Sequence, residues 1–144
     1  MPLNNINLFY LRSTIDIMTT NEYNQPIGET LPNFSLGEMP TIKVLEGVYC
    51  RLEHLSAEKH LDDLSEFYLE ANTNPADWTY LFLSPLKDKE ELRTLLTKQE
   101  TSADPYYFSI VSKETGKAIG TFSLMRIEPK YRVIEVGAVT YSDT

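Results

Sequence analysis

Cysteine and histidine are scarce in this sequence. It has one cysteine, Cys50, and two histidines, His54 and His60, among 144 residues. A single cysteine cannot build a disulfide framework, and the two histidines have no third ligand near them, so we expect neither disulfides nor a metal site. Because a chain without disulfides is typical of a reducing compartment, we expect a cytoplasmic protein.

Positive charge and long apolar runs are scarce as well. The 13 Lys and Arg residues face 21 Asp and Glu residues, which leaves a net charge of −8. An acidic chain repels phosphate groups, so nucleic acid and anionic membrane surfaces are excluded as expected partners. No apolar stretch approaches the roughly 18 residues needed to span a membrane. The composition, 42% hydrophobic and 11% aromatic, instead indicates a compact core.

The chain has two regions of different pattern. Residues 1–40 are dense in Asn, Thr, Pro and Gly and show no sustained periodicity, so we expect a polar amino-terminal extension there. The folded domain is expected over residues 41–144. Its first element is predicted to be a strand, because Val48, Cys50 and Leu52 place apolar side chains at every second position.

Two amphipathic helices are expected next. Ser56 is a good helix N-cap, and apolar residues recur after it at steps of three and four, at Ala57, Leu61, Leu64, Tyr68 and Ala71. A second helix is predicted after Ser84-Pro85, with Leu92, Leu95 and Leu96 on one face. Both helices therefore have one face suited to a shared core.

The last third of the chain is predicted to form three antiparallel strands, over residues 106–111, 118–127 and 133–141. Gly116 lies in the first turn between them, where it can supply the positive φ that a hairpin demands. One strand, two helices and three further strands in this order indicate an α+β fold.

Three stretches of the chain resemble a known family. They are residues 44–55 (VLEGVYCRLEHL), 118–126 (AIGTFSLMR) and 133–137 (VIEVG). In this order and spacing they are similar to the first half of the GNAT superfamily of N-acetyltransferases, and in particular to its Rim-type ribosomal-protein acetyltransferases.

That resemblance implies a fold and an activity. The fold is the amino-terminal half of a GNAT (acyl-CoA N-acyltransferase) fold, with one strand, two helices and a three-stranded antiparallel meander. The activity is transfer of an acetyl group from acetyl-CoA to an amine acceptor, which is either a small molecule or a protein N-terminus.

The chain departs from the family pattern after its last strand. In the family, a loop of the form Gln/Arg-x-x-Gly-x-Gly/Ala and a helix follow, and their backbone N–H groups hold the cofactor pyrophosphate. Here Tyr141 is followed by Ser142-Asp143-Thr144. We therefore expect a C-terminally truncated domain that lacks the pyrophosphate loop, binds acetyl-CoA weakly and is inactive alone.

Two other roles fit the same sequence. The chain could be a non-catalytic binding or regulatory module that uses the acceptor side of the fold. It could also be a half-site that is completed when the open strand over residues 133–141 pairs with a second copy, because an unpaired strand edge is a template for such pairing.

The last strand holds the residues that the resemblance assigns to catalysis and cofactor binding. Glu135 matches an acidic position of Rim-type relatives, and we expect it to share a strand face with Gly137 and Val139. Partial burial among apolar neighbours would make its carboxylate a better general base. Val139 and Tyr141 match the strand whose backbone amides bind the thioester and pantetheine. The structural alternatives are a solvated glutamate and an ordinary strand.

Three aromatic residues between the predicted helices form the candidate acceptor site. Trp78, Tyr80 and Phe82 lie in the segment that helps line the acceptor pocket in the GNAT fold. Aromatic rings there can contact an ammonium group through cation–π interaction. The alternative is that the three rings simply pack in the core.

Overall fold

A computed structural model of the chain describes residues 19–142, which fall into two compact units that divide after residue 35. The first unit contains a turn over residues 21–25. The Asn21 side-chain oxygen accepts hydrogen bonds from the backbone N–H groups of Tyr23 and Gln25, each at 3.0 Å. This unit therefore has local order without a strand or helix among its described residues.

The second unit contains five strands and two helices. Their bounds are β1 (Val44–Glu46), β2 (Cys50–His54), α1 (Ala57–Tyr68), α2 (Lys89–Glu100), β3 (Tyr106–Ser112), β4 (Ala118–Glu128) and β5 (Val133–Tyr141). The strands form one antiparallel sheet in the order β1-β2-β3-β4-β5. Helix α1 packs against β4 and helix α2 against β3, so both helices cover the same sheet. The predicted α+β fold class is confirmed.

The first strand predicted from the sequence is two short strands in the structure. Val48 and Tyr49 lie in the turn between β1 and β2, and both side chains are exposed. Gly47 makes this turn possible: its N–H donates to the Cys50 carbonyl at 2.9 Å, and a Cβ on Gly47 would lie 2.8 Å from that oxygen. The alternation in the sequence therefore begins at Val48, two residues before β2, because it includes residues of the turn.

Both predicted helices form, and each begins at a side-chain cap; α1 ends at Tyr68, however, so Ala71, which was expected on its apolar face, lies beyond the helix and is exposed. Ser56 accepts from the Lys59 N–H at the start of α1. Asp88 accepts from the N–H groups of Glu90 and Glu91 at the start of α2, each at 2.9 Å. Such caps satisfy amides that have no partner within the helix. The predicted apolar faces form the core, which includes Leu55, Leu61, Leu64, Phe67, Tyr68, Trp78, Leu92 and Leu96.

The pairing of β4 with β5 contains a bulge near the carboxyl end of β5. Thr121 pairs with Thr140 and Ser123 with Gly137, so two residue steps on β4 oppose three on β5. The extra residue is Ala138, whose φ is 50°. A bulge of one residue reverses the alternation of side chains beyond it.

This bulge changes which residues of β5 share a face. Thr140, and not Val139, continues the face of Gly137, because Thr121 and Ser123 lie on one face of β4. The expectation that Glu135, Gly137 and Val139 share a face is therefore wrong beyond Gly137. A regular two-residue period cannot anticipate a left-handed residue inside a strand.

A cluster of charged residues joins β2 to α1 beside the apolar core. The Glu53 side chain is buried and binds Arg51 Nη2 at 2.5 Å, the Lys59 ammonium group and His60 Nε2 at 3.2 Å. Burial by itself raises the pKa of Glu53, but the hydrogen bonds from Lys59 and His60 outweigh it and lower that pKa from 4.5 to about 2. Glu53 is therefore a buried carboxylate that stays ionised.

His60 is buried beside the apolar core, with 2% of its surface exposed. Its Nδ1 atom accepts from the Ser56 N–H at 3.1 Å, so the ring proton lies on Nε2 and is donated to Glu53. Burial lowers the pKa of His60, and Glu53 opposes this shift only in part. In this arrangement each nitrogen atom of the neutral ring has a hydrogen-bond partner.

These shifts predict a stability that falls in two stages as the solution is acidified. A histidine whose folded-state pKa is lowered stabilises the fold fully above its unfolded value of 6.5, and this contribution is lost as pH falls below 6.5. The Glu53 contribution is present above 4.5 and is lost as pH falls from 4.5 toward about 2. The free energy of unfolding, measured with denaturant at a series of pH values, should show both declines.

The His60→Gln variant separates the two stages. It should shrink the decline that begins at 6.5, without abolishing it, because burial lowers the pKa of His54 as well. The decline below 4.5 should persist. An unchanged upper decline in this variant would contradict the assignment of that stage to His60.

Candidate functional site

A cleft of about 680 Å³ lies where the end of β5 meets the end of α1 and the segment that follows it. Three stretches of chain form its walls: α1 near Phe67, the connector between the helices near Trp78, and the paired ends of β4 and β5. The residues that line the cleft include Asp63, Glu66, Phe67, Asp77, Trp78, Leu81, Glu114, Lys117, Val139, Thr140 and Tyr141.

The two predicted cofactor-binding residues lie in the strand wall of this cleft. Val139 is 37% exposed and Tyr141 is 64% exposed, so each presents a large part of its surface to solvent. Both lie immediately beyond the bulge at Ala138. The bulge takes one residue of β5 out of the regular ladder beside them, which leaves backbone groups near the cleft for another partner.

Trp78 supplies the aromatic part of the opposite wall. It ends a one-turn 3₁₀ helix, Pro75–Trp78, that begins at the capping residue Asn74. Its ring is buried, and its Nε1–H donates to Thr73 Oγ1 at 3.0 Å. Trp78 is the one predicted acceptor-site residue that lines the cleft.

Tyr80 and Phe82 do not line the cleft. Their side chains are fully exposed, whereas Leu81 between them contacts the cleft. The reason is local, because the 3₁₀ helix and the turn after it replace the extended conformation in which alternate residues would face the same way. The three aromatic residues therefore do not act as one cage in this structure.

The charge of the cleft is mainly negative. Four of its lining residues are acidic and one is basic: Asp63, Glu66, Asp77, Glu114 and Lys117. Asp63 accepts from the Ala118 N–H at 2.8 Å, and Glu66 binds Lys117 Nζ at 3.0 Å. Asp77 and Glu114 are exposed. This balance favours a cationic ligand over an anionic one.

Glu135, the predicted general base, lies outside the cleft. Its carboxylate binds Arg126 Nη1 at 3.1 Å, and its side chain is 46% exposed. Arg126 itself is a bulge residue of β4, with φ of 51°, and Asp104 accepts from its N–H at 2.9 Å. The carboxylate is therefore more solvated than the apolar surroundings expected from the sequence.

Sequence reasoning missed a buried hydroxyl group behind the cleft. Tyr68 was identified only as part of the apolar face of α1, but its hydroxyl lies 2.8 Å from Thr121 Oγ1, next to Thr140, which pairs with Thr121. Hydrophobic periodicity places the ring of a tyrosine and gives no information on its oxygen. The only signal was a pair of threonines on two strands whose register could not be known in advance.

A second, shallower pocket of about 470 Å³ lies beside the Glu53 cluster. Its lining mixes acidic and basic groups, including Lys43, Arg51, Glu53, Lys59 and Glu100. The central carboxylate already binds three partners. We therefore place the candidate site in the larger cleft.

Close packing between β4 and β5 fixes the strand wall of the cleft. A Cβ added at Gly120 would lie 2.6 Å from the Thr140 carbonyl oxygen and 3.0 Å from Tyr141 Cδ1. Only glycine permits this approach, because a Cβ at 2.6 Å from a backbone oxygen forces the backbone to move.

Comparison with solved structures identifies this fold with that of the GNAT acetyltransferases. A GCN5-related N-acetyltransferase from Brucella melitensis is 36% identical with a TM-score of 0.72, over 78% of this chain and 51% of that one. A protein described as a probable GNAT-family acetyltransferase, from Chromobacterium violaceum ATCC 12472, is 20% identical with a TM-score of 0.70. That alignment covers 83% of this chain and 59% of the other.

The chain thus spans between one half and three fifths of the length of these two relatives. No protein-family model and no curated protein sequence matches it. Within residues 19–142, neither helix is long and apolar enough to cross a membrane. The GNAT fold expected from the sequence is confirmed.

The Gly120 contact predicts the effect of a single methyl group. Gly120→Ala should lower the free energy of unfolding by about 1–3 kcal/mol, because the new Cβ displaces the Thr140 carbonyl. The matched control is Gly28→Ala, since a Cβ there would meet nothing within 4 Å. Denaturant unfolding of both variants measures the difference, and equal stability would contradict the close approach described here.

Proposed function

We propose that this chain provides the acceptor side and the thioester-facing strand of an N-acetyltransferase site. The observation that carries the proposal is the cleft, which brings Val139 and Tyr141 of the bulged strand β5 opposite Trp78. Acetyl-CoA, when bound, supplies an acetyl group activated as a thioester. The chain would place that group against an amine held in the same cleft.

The donor side of the cleft fits the thioester end of the cofactor. The bulge at Ala138 interrupts the β4–β5 ladder next to Val139, and no strand within residues 19–142 pairs with the outer edge of β5. Backbone amides in such a position can donate to the carbonyl and pantetheine groups, and donors aimed at the developing oxyanion stabilise acyl transfer. Tyr141 would pack against the pantetheine arm.

The acceptor side fits a protonated amine. Asp63, Glu66 and Asp77 raise the local concentration of cations, and the Trp78 ring forms an apolar wall beside them. Before attack, the ammonium group must lose a proton. In this proposal Glu135 is the general base and is reached through water, because its carboxylate is solvated and lies outside the cleft.

The pyrophosphate end of the cofactor has no comparable site among these residues. The lining of the cleft offers the thioester-facing strand, and the chain spans about half the length of the Brucella relative. We therefore propose that the isolated chain binds the cofactor weakly and transfers little or no acetyl group by itself. In the complete site we propose a Rim-type reaction, with a protein N-terminus or a small polyamine as the acceptor.

A binding experiment with two donors tests this assignment. S-acetylpantetheine lacks the pyrophosphate, so it should bind this chain about as tightly as acetyl-CoA does. Both should perturb the backbone amide signals of residues 139–141 in two-dimensional NMR spectra. Tyr141→Ala should weaken both interactions by roughly tenfold, the loss expected for one well-packed aromatic contact.

The control is Tyr131→Ala. Tyr131 is 62% exposed, close to the 64% of Tyr141, and lies outside the cleft, so its loss should leave both affinities unchanged. If neither donor perturbs residues 139–141 of folded protein at millimolar concentration, the cleft is not a thioester site. A clear preference for acetyl-CoA would contradict the proposed absence of a pyrophosphate site.

A second role is favoured by the exposed edge of the sheet. In the described part of the chain, β5 lies at the edge of the sheet, and its apolar side chains Val133, Ile134 and Val136 are about half exposed. Pairing of two β5 strands would cover these side chains and add a partner next to the cleft. Size-exclusion chromatography with light scattering should then show a dimer that Val136→Lys converts to a monomer, and a monomeric wild type would exclude this role.

A further inference from the structure

Tyr68 touches all three walls of the cleft from behind. Its ring lies edge-on to Trp78, with ring centroids 5.4 Å apart, and beside Phe67 at 5.1 Å. Its hydroxyl binds Thr121 of β4 at 2.8 Å, next to Thr140, the residue of β5 that pairs with Thr121. The side chain therefore joins helix α1, the connector and the strand wall through a single residue.

The hydroxyl of Tyr68 is well suited to hold a fixed position. The residue is 2% exposed, so its hydroxyl cannot exchange these partners for solvent. Burial raises the pKa of Tyr68, and its interactions with the side chains of Thr121 and Thr140 offset only part of that rise, so the group stays protonated at neutral pH. Of its two partners, only Thr140 lines the cleft.

We propose that Tyr68 is a positioning residue: its hydroxyl anchors the bulged end of β5 to α1 and so sets the distance between the strand wall and Trp78. The bulge makes such an anchor necessary. Beyond Ala138 the strand has left its regular alternation, and Thr140 is the residue that the altered register turns toward α1. The consequence for ligands rests on the acetyltransferase function proposed above, whereas the anchoring itself does not.

Hydrogen exchange along β5 tests the anchor directly. In Tyr68→Phe the ring is retained and the two hydroxyl contacts are lost. Exchange at the carboxyl end of the strand, residues 140–142, should accelerate about fivefold to tenfold, the effect of losing a buried hydrogen bond. The Ser142 N–H, which donates to the Ile119 carbonyl at 2.9 Å, is one reporter. Residues 133–136 should stay within about twofold of wild type, because only local opening changes.

The matched control is Tyr106→Phe. Tyr106 is also a buried tyrosine, 7% exposed, and its hydroxyl donates to the Ile42 carbonyl at 2.8 Å, away from the cleft. This variant should lose similar stability without selective acceleration at residues 140–142. Equal acceleration at both ends of β5 in Tyr68→Phe would show a merely structural role and overturn the proposal, as would no acceleration at all.

Ligand binding then tests the consequence of the anchor. The affinity for S-acetylpantetheine should fall about fivefold in Tyr68→Phe and stay unchanged in Tyr106→Phe. A double-mutant cycle with Thr140→Val should be non-additive, because both changes remove the same contact. Additive losses would overturn the role of this contact in binding.

The two proposals fail in distinguishable ways. If folded wild-type protein shows no binding at residues 139–141, the acetyltransferase assignment fails, and the exchange measurement still decides whether Tyr68 anchors β5. If wild type binds the probe and Tyr68→Phe binds it equally well, the assignment of the cleft stands and the positioning role is wrong.

Discussion

The pairing between β4 and β5 is the constraint on which the rest of the site depends. Between the two paired positions Thr121–Thr140 and Ser123–Gly137, β5 contains one residue more than β4. The extra residue is Ala138, which forms a bulge. Had the strands paired regularly, Val139 would lie on the face of Gly137 and Thr140 would turn away from α1. The left-handed backbone conformation of Ala138 therefore decides which side chains of β5 reach the cleft and which reach α1.

The core and the cleft are stabilised by different kinds of interaction. Apolar side chains from both helices pack on the sheet around Leu64 and Leu92, both of which are fully buried. Among the buried polar side chains beside them, Glu53 lies with His60, and Tyr68 with Thr121. Each of these buried polar groups has a partner, which is the condition under which burial of polar atoms is tolerated.

The sequence allowed the main elements and one half of the site to be predicted. Periodicity and capping gave α1 with its N-cap at Ser56, and the last strand was predicted over its full observed range, Val133–Tyr141. These features depend on neighbours within a few positions of the chain. Val139, Tyr141 and Trp78 were chosen by resemblance, and the structure brings these three together in one cleft.

The features that could not be predicted depend on contacts between distant parts of the chain. The bulge at Ala138 depends on the partner strand, and the burial of His60 depends on Glu53 of the neighbouring strand. Tyr80 and Phe82 were grouped with Trp78 because all three lie in the segment that lines the acceptor pocket of the family, but the 3₁₀ helix at its start turns only Trp78 toward the cleft. Glu135 was expected among apolar neighbours. The bulge of β4 at Arg126 instead places the Arg126 side chain beside its carboxylate.

Trp78 gives this protein an optical property that follows from its position. It is the only tryptophan of the 144-residue sequence, and its indole ring forms a wall of the cleft. Indole emission depends on the polarity and packing of its surroundings, and here those surroundings include Tyr68 and the space that a ligand would occupy. The intrinsic fluorescence of the chain is therefore a label-free signal from a single site, which can follow ligand entry and movements of the wall at low protein concentration.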